Sequence, residues 1–570
     1  MRTPPGSHVP GRREAWLSVA AVFGLALAVR IVAAASLAFP IPEDTAYYAG
    51  VARNLAEGRG LVSDALWSYQ TPPLEVPRAA FEVWLPLPSL LAALPVSLAG
   101  AENWFRASQA VSVVVSAVVV ALAWRLAADV ATELRLPVGR ARTLAAGTGL
   151  TCGFLGPLVL YGMLPDSTAL FAALTLGSCL LMTRLAARPP ERTLDRRLLG
   201  LGLLIGLAAL TRSEAIWLGL AWAVMAWLWV RTPAARAPGA ASSAAFDRPS
   251  RRRRLVLIAV PAAVAAAVFA PWAVRDWLAF GTPLPGQALA NALSIEPTDI
   301  FAYQDQPTLG RYLAEGPAAL LGMRVSGTLH NLFAVLILPG FPIGLIGLLA
   351  LPRCWRLEAL RPLLLVFGLT FTVTSLVFPV STTWGTFLHA AGAVYVLLAV
   401  SCLVILDAFI AWVHRLRHWW RPVAWLGPAL ATAVALPLML VSVTALNQEA
   451  AEVRDRYEAL PAALQQAGSP LPDNAPVITD NPIWLAEATG VTAIALPEES
   501  PQAVLALADR FGATLLVVED DGRRLWPGIL ANGGPSAVCF AEIPLTGMPA
   551  ASTGESGEPA QIRAFKVGCP

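Results

Sequence analysis

The stretch Pro-Glu-Asp-Thr-Ala-Tyr-Tyr at positions 42–48, continued by Ala-Arg-Asn-Leu-Ala-Glu-Gly at 52–58, guides the interpretation of this chain. It comes directly after an apolar run from about Trp16 to Phe39. Carboxylates at the edge of a bilayer are costly unless they are paired, hydrated or used. Two acids and two tyrosines at this point therefore indicate a polar site built at a membrane surface.

The composition of the chain is that of a membrane protein. Of its 570 residues, 56% are hydrophobic and only 14% are charged, and the mean hydropathy is +0.60. Soluble domains carry about 25% charged residues, so we predict a polytopic α-helical membrane protein. The net charge of +3 gives no indication of a nucleic-acid partner. Lys566 is the only lysine, so an anionic ligand in the membrane-embedded part must be held by arginine, histidine, backbone amides or a metal.

Apolar segments of about 20 residues, the length that spans a bilayer, recur along the chain. The candidates are 16–39, 84–100, 107–124, 143–162, 167–187, 198–211, 214–230, 255–278, 331–351, 362–379, 388–412 and 423–445. Segment 84–100 contains three prolines, which break helical hydrogen bonding. We expect this segment to be bent, re-entrant or packed at the surface, which leaves about 11 transmembrane helices.

Arginine clusters mark the cytoplasmic loops of membrane proteins. Here they lie at 125–142, 184–197, 231–254, 353–361 and 415–421. Placing all of them inside makes 1–14 a cytoplasmic tail and 15–446 the transmembrane domain. The predicted outer segments are then 40–83, 163–166, 212–213, 279–330, 380–387 and everything after residue 446.

From about Asn447 the composition of the chain becomes that of a soluble domain. Short apolar strands are predicted at 475–480, 491–496 and 513–519, with helices at 482–489 and 501–511 between them. This alternation favours a small extracytoplasmic α/β domain with a parallel sheet over residues 447–570. Because it carries no phosphate-binding glycine pattern, we interpret it as an accessory domain. Cys539 and Cys569 can pair if the region is outside, which the sequence alone leaves open.

The polar stretch at 42–58, which we call the polar island, offers a first set of candidate site residues. Asp44 can act as general base on an acceptor hydroxyl, or hold a divalent cation together with Glu43. The other interpretation is an exposed acid at a helix start, with Tyr47 and Tyr48 as interfacial anchors. Asp166 either caps the helix that follows it or supplies a second carboxylate for a metal or an acceptor.

Further candidates lie on the same predicted side of the membrane. Arg212 and Glu214, in a tight turn between two apolar spans, form either a mutually satisfied buried pair or part of a pocket. Arg275 either binds phosphate through its guanidinium or extends to the interface. Arg78 is another outer arginine. His389 begins a late span, where a lone histidine is more often a hydrogen-bonded structural group than a catalyst.

Several segments resemble the GT-C membrane glycosyltransferases, in the bacterial branch of protein O-mannosyltransferases and aminoarabinose–lipid A transferases. Positions 44–58 are similar to the family's Asp-Glu-Ala-x-Tyr and Ala-Arg-Asn-Leu-x-x-Gly motifs. Positions 206–214 resemble its Gly-Leu-Ala-x-Leu-Thr-Arg-x-Glu segment, 271–281 its Pro-Trp-x-x-Arg-Asn…Phe-Gly segment, and 385–389 a late segment of bacterial members. The resemblance covers about residues 15–410.

This resemblance implies transfer of a hexosyl or pentosyl group from a polyprenyl-phosphate donor to an acceptor hydroxyl, usually with inversion, outside the plasma membrane. Asp44 matches the catalytic aspartate of the first outer loop (40–83), and Asp166 matches the position of a second acid. Thr45 replaces the acid that follows the aspartate in the family. No lysine is present for the donor phosphate, which leaves Arg78, Arg212 and Arg275 as its candidates. No cofactor is implied with certainty, and a divalent metal stays open.

Two other functions stay open at this point. A transporter or flippase of lipid-linked sugars would also need many spans and outward polar residues. However, we find no internal repeat of hydropathy, which many transporters have. A non-catalytic scaffold, binding envelope partners through the C-terminal domain, is compatible with the altered motif at Thr45. The sugar and the acceptor are not identified by the sequence.

Overall fold

The structure is a computed structural model. It describes residues 12–190, 194–230, 250–285, 288–417, 423–520, 535–549 and 561–569, together with Arg192, Thr232, Pro233, Phe246, Asp247 and Trp526. Most of the predicted cytoplasmic tail 1–14 and of the arginine-rich stretch 231–249 lies outside the described residues.

Helices make up the part of the chain predicted to be embedded in the membrane. They are α1 (Arg12–Ser36), α2 (Glu43–Ala56), α3 (Leu87–Ala99), α4 (Trp104–Glu133), α5 (Val138–Gly153), α6 (Gly156–Met163), α7 (Thr168–Ala187), α8 (Arg196–Ala209), α9 (Ile216–Leu228), α10 (Arg251–Phe280), α11 (Ala288–Leu293), α12 (Leu309–Ala314), α13 (Gly316–Ile337), α14 (Ile343–Cys354), α15 (Arg361–Leu376), α16 (Thr386–Ala390), α17 (Gly392–Arg417) and α18 (Leu426–Gln466).

Among the described residues, seven helices are long and apolar enough to cross a bilayer, namely α1, α4, α7, α10, α13, α17 and α18. Helices α5 and α6 form an eighth candidate, a pair bent by 55°. Shorter apolar helices are α3, α9, α14 and α15. The prediction of a polytopic helical membrane protein is confirmed, whereas the number of eleven crossings stays a prediction.

One predicted span and one predicted outer loop differ from the helices that form. The single span predicted at 331–351 is wrong, because α13 ends at Ile337 and α14 begins at Ile343. Between them Gly340 has φ of 91° and Pro342 lacks a backbone donor, and both interrupt a helix. Helix α13 also begins at Gly316, inside the predicted outer loop 279–330. In segment 84–100, the 13-residue helix α3 is ~20 Å long. The bilayer core is ~30 Å thick, and whether α3 crosses it stays a prediction.

The bend between α5 and α6 is held by Arg30, a fully buried residue of α1. Its guanidinium donates to Ser116 Oγ at 2.8 Å and to the Gly153 carbonyl at 2.7 Å. Longer contacts of 3.4 Å reach the carbonyls of Cys152 and Leu158. A helix end leaves carbonyls without partners, which is costly away from water. Arg30 supplies the missing donors and so stabilises the bend.

The predicted α/β elements of the C-terminal region form. The strands of the described residues are β1 (Val62–Ser63), β2 (Ala65–Leu66), β3 (Arg78–Ala79), β4 (Thr232–Pro233), β5 (Phe246–Asp247), β6 (Val477–Thr479), β7 (Ala493–Ala495), β8 (Leu515–Asp520), β9 (Phe540–Ile543) and β10 (Gln561–Val567), and the C-terminal helices are α19 (Pro482–Thr489) and α20 (Pro501–Phe511). Strands β6, β7 and β8 pair in parallel, as predicted. Cys539 and Cys569 form a disulfide.

The C-terminal sheet includes a strand from the first loop. Its order is β2-β7-β6-β8-β10-β9, and β2 pairs in parallel with β7 through Ala65 opposite Ala493. Strand β10 runs antiparallel to both of its neighbours. One hydrophobic core contains Trp67 of the loop together with Leu485 and Ile494 of the C-terminal region. The chain segments 40–83 and 447–570 therefore fold together, across the boundary predicted at residue 447.

Two contacts involve residues of the arginine clusters. Arg140, at the start of α5, pairs with Asp407 near the end of α17. Arg253 donates to the carbonyl of Pro190, so two predicted cytoplasmic loops touch. These contacts agree with the common side that the charge pattern assigned to the clusters.

Candidate active site

Asp44 lies in the first turn of α2, where acids are stabilised by the helix dipole. Its side chain is 28% accessible, whereas Tyr48, one turn further, is buried. Residues four apart share a helix face, so Asp44 and Tyr48 face one way and Glu43 and Tyr47 another. This division separates the candidates of the polar island into two groups.

Asp44, Asp166 and His389 form what we call the acid–histidine cluster. The Nε2 atom of His389 lies 3.6 Å from Asp44 Oδ2. On the other side of the ring, Nδ1 lies 3.5 Å from Asp166 Oδ2 and 3.0 Å from Thr168 Oγ1. Asp166 Oδ1 also accepts the backbone N–H of Thr168 at 2.7 Å. Asp166 thus caps the start of α7, as one interpretation predicted, and faces the histidine as well.

The ring of His389 is held from three sides. Tyr161 contacts it edge-on with ring centroids 5.2 Å apart, and Thr168 meets Nδ1. Gly385 leaves space on a third side, since a Cβ there would lie 3.0 Å from His389 Cδ2. With φ of 95°, Gly385 also adopts a backbone conformation that other residues rarely take. Sequence reasoning singled out His389 but missed these neighbours, although Gly385 opens the segment that carries the family resemblance.

Arg212 joins this site from the turn before α9. Its guanidinium binds Glu214 in a fork, at 2.8 and 3.2 Å, and donates to Ser167 Oγ at 3.1 Å. A further contact of 3.3 Å reaches the carbonyl of Thr386. Both sequence interpretations therefore apply, because Arg212 and Glu214 satisfy each other and also line the site.

The surroundings of Asp44 shift its acidity. Removal from water raises the pKa of the Asp44 carboxyl above its usual value. The charge of Asp166 raises this pKa further. His389, a hydrogen bond from the Trp84 side chain and the charge of Arg212 lower the pKa and so partly offset the rise. Trp84 is another neighbour that sequence reasoning missed, since its segment was interpreted only as a broken helix. A carboxylate whose pKa is raised accepts a proton more readily than an ordinary aspartate does.

Arg78 lies outside the acid–histidine cluster. Its side chain is 1% exposed and sits 3.5 Å from Glu82. It donates to the carbonyls of Ser68 and Thr71, at 3.2 and 3.1 Å. These contacts hold the first loop in shape, and burial raises the pKa of Glu82 within it.

Tyr47 and Arg275 also contact the first loop rather than the cluster. The hydroxyl of Tyr47 accepts the backbone N–H of Phe81 at 2.6 Å. Arg275 pairs with Asp276 at 2.9 Å and lies over the ring of Trp272, 4.7 Å from its centroid. Of the three arginines proposed for the donor phosphate, Arg212 is the one that the fold brings to Asp44.

Glu43 points toward the C-terminal region. Its carboxylate accepts the indole N–H of Trp67 at 3.0 Å and the backbone N–H of Ile483 at 3.1 Å. Ile483 lies in the first turn of α19, where backbone N–H groups lack helical partners. At the other end of α2, Arg53 pairs with Glu487 of α19 at 2.7 Å. Glu43 therefore docks α2 on the C-terminal region.

A divalent metal was left open by the sequence, and the donor set in hand does not fit one. Within the described part of the chain, no group of three or more His, Cys, Asp or Glu side chains is arranged to hold a metal ion. Asp44 and Asp166 approach opposite nitrogens of one imidazole ring. Metal ligands must instead converge on one point, at about 2.0–2.6 Å from it. The ring of His389 separates the two carboxylates that would have to converge.

A small cavity borders Asp166. It lies between α3, α4 and α7, and its lining includes Pro88, Ala92, Ser112 and Leu170. Separately, the Asp44 carboxylate lies close enough to the Arg212 guanidinium to be affected by its charge. Chemically, such a pair of groups can deprotonate a hydroxyl and stabilise an anion.

No family model matches the sequence, and no curated protein matches it. Several solved structures, in contrast, are similar to this one. ArnT from Cupriavidus metallidurans in the apo state is 14% identical, with a TM-score of 0.52 over 97% of this chain and 98% of that one. The same protein bound to undecaprenyl phosphate gives a TM-score of 0.50 at 14% identity, over 96% and 98% of the two chains.

The oligosaccharyltransferase AglB from Archaeoglobus fulgidus, in complex with an inhibitory peptide and a dolichol-phosphate, is also similar. It is 10% identical, with a TM-score of 0.51 over 96% of this chain and 74% of that one. At such low identity these similarities support a shared fold but not shared site residues. Their extent over nearly the whole chain shows that the protein has the GT-C fold, as the resemblance of its motifs predicted.

Proposed function

We propose that the chain is a membrane glycosyltransferase that moves a sugar from a polyprenyl-phosphate donor to an acceptor hydroxyl. The observation that carries the proposal is Asp44, a partly accessible carboxylate whose pKa is raised and whose neighbours include His389 and Arg212. The likeness to ArnT bound to undecaprenyl phosphate and to AglB with dolichol-phosphate supports the class of donor.

In the reaction, Asp44 takes the proton of the acceptor hydroxyl while its oxygen attacks the anomeric carbon. The bond from that carbon to the donor phosphate breaks, and polyprenyl phosphate leaves from the opposite face, so the anomeric centre is inverted. Arg212 stabilises the negative charge that develops on the departing phosphate. The prenyl chain stays in the apolar phase, with its phosphate at the border.

We further propose that the site and the C-terminal region face the outside of the plasma membrane. The contact between two arginine-rich loops, through Arg253 and Pro190, supports this orientation through the positive-inside rule. The Cys539–Cys569 disulfide supports it too, because disulfides persist mainly in oxidising compartments. The acceptor would be a component of the cell envelope, a glycan, a lipid or a protein.

The test is transfer of radiolabelled sugar from a panel of undecaprenyl-phosphate sugars in membranes that contain the protein. We expect Asp44→Asn to lower the transfer rate by about 10²–10⁴-fold, the usual contribution of a general base. The matched control is Asp305→Asn, the same substitution at a side chain that is 73% exposed. Full transfer by Asp44→Asn would refute the assigned base, and movement of intact donor without transfer would favour a flippase instead.

A further inference from the structure

His389 is placed between two carboxylates that come from distant parts of the chain. Asp44 belongs to α2 and Asp166 precedes α7, whereas His389 lies in α16. Each carboxylate approaches a different ring nitrogen, at 3.6 and 3.5 Å. A histidine that only fills space would not need one acid at each nitrogen.

The contacts at Nδ1 allow this nitrogen to carry the proton of the neutral ring. A carboxylate oxygen only accepts hydrogen bonds, and the Thr168 hydroxyl can donate to Asp166 Oδ2, 3.3 Å away. Thr168 Oγ1 then accepts from Nδ1–H at 3.0 Å. In this arrangement the proton of a neutral His389 sits on Nδ1, and the lone pair of Nε2 faces Asp44. The separation of 3.6 Å agrees with a lone pair facing an ionised carboxylate, since it is too long for a hydrogen bond.

We infer that His389 receives the proton that Asp44 takes from the acceptor, with Asp166 and Thr168 fixing the ring for that transfer. The inference rests on the function proposed above. The acceptor O–H bond breaks and its proton goes to Asp44 as the new bond to the anomeric carbon forms. The proton then moves from Asp44 to Nε2 of His389, once the two groups have approached each other to hydrogen-bonding distance. Asp44 is ionised again, and the imidazolium lies between two carboxylates until it gives the proton to water or to the departing phosphate.

Charged and titratable groups face His389 from several elements. Asp44, Asp166 and Glu214 are the acids near it, Arg212 is the nearby cation, and Tyr48, Tyr161 and Tyr395 are the phenols. Glu214 binds Arg212 in a fork, so much of the arginine charge is offset locally. The two acids that face the ring are left to stabilise its positive charge. His389 is thus a positioning and proton-holding residue that acts through Asp44.

The experiment uses the full-length protein in membranes and the radiolabelled undecaprenyl-phosphate sugar that the wild type transfers. His389→Gln keeps a side chain of similar length and cannot be protonated. We expect its kcat to fall by about 10²–10⁴-fold, while KM for the donor changes by less than about threefold. His330→Gln, the same substitution in α13 outside the cluster, serves as control and should transfer as the wild type does.

A second variant separates proton transfer from a merely structural role. His389→Ala should regain transfer when imidazole is added, and the regained rate should grow as pH rises through roughly 6.5 and the neutral base accumulates. A His389→Gln variant with wild-type kcat would overturn the inference. So would loss of activity that shows mainly as a raised KM and that imidazole does not restore at any pH. If the wild type transfers no sugar from any donor of the panel, the proposed function itself fails, which is a distinct outcome.

Discussion

The burial of Glu487, at its contact with Arg53, should make the docking of the C-terminal region on α2 depend on pH. The side chain of Glu487 is 7% exposed, and burial raises its pKa from 4.5 to about 7, with Arg53 opposing the rise. When the region undocks, the carboxyl returns to water and to its usual pKa. An acid whose pKa is raised by docking stabilises the docked state while it is protonated. The stabilisation is therefore present at low pH and is lost as pH rises through about 7.

The size of the effect follows from the two pKa values. A difference of about 2.5 between them corresponds to roughly 3.4 kcal/mol between the low-pH and high-pH limits. Linkage over the narrower range from about pH 5.5 to about pH 8 gives a loss of ~2 kcal/mol, or roughly 30-fold in the docking equilibrium. Glu487→Gln removes the titration, so its docking should change little over the same range.

Amide hydrogen exchange measures this equilibrium directly. The observable is the protection factor of amides in β7 and α19, corrected for the intrinsic pH dependence of exchange, in lipid nanodiscs. Glu458→Gln, at a side chain that is 58% exposed on α18, is the matched control and should follow the wild type. Equal protection of the wild type at both pH values would refute the reasoning. So would a Glu487→Gln variant that loses as much protection as the wild type does.

Two further substitutions test how the site is supported. Arg30→Leu leaves the carbonyls of Gly153 and its neighbours without donors and should lower the free energy of unfolding by about 3–5 kcal/mol. A thermal unfolding assay in detergent should show this fall, with Arg125→Leu, an exposed residue of α4, nearly unchanged; equal melting of both variants would contradict the role of Arg30. Gly385→Ala should lower kcat at least about tenfold, because the new Cβ would press on the His389 ring and because strain at this φ costs about 1–3 kcal/mol. Gly368→Ala, in open space on α15, is its control, and wild-type kcat in Gly385→Ala would show that the ring tolerates displacement.

Local sequence patterns predicted two helices and three strands of the C-terminal region but missed β9 and β10. Short apolar runs between turn residues predict strands, and 475–480 and 491–496 contain β6 and β7, while 513–519 covers β8 except for its last residue. Strand β2 was not predictable in this way, because two residues carry no periodicity and its partner β7 is over 400 positions away. The break between α13 and α14 was missed because hydropathy alone does not register how Gly340 and Pro342 interrupt a helix.

The site was predicted in part, for a similar reason. Asp44, Asp166, Arg212 and His389 were grouped because the charge pattern put them on one side of the membrane, and the fold brings them together. Glu43 and Tyr47 were grouped with Asp44 because they are its neighbours in sequence. On a helix, successive residues point about 100° apart, so sequence neighbours reach different surroundings. Which face of α2 turns to the bundle depends on the C-terminal region, and no local pattern encodes it.

Both ends of helix α2 bind the C-terminal region. Glu43 accepts a hydrogen bond from the backbone of Ile483, and Arg53 forms a salt bridge with Glu487. Strand β2, from the same loop, completes the sheet of that region. This linkage limits how such a protein can recombine with a relative. Recombination at the end of the membrane domain would join the first loop of one parent to the C-terminal sheet of the other. The contacts at both ends of α2 would then no longer match. Segments 40–83 and 447–570 must therefore be inherited together, although the 363 residues of positions 84–446 lie between them.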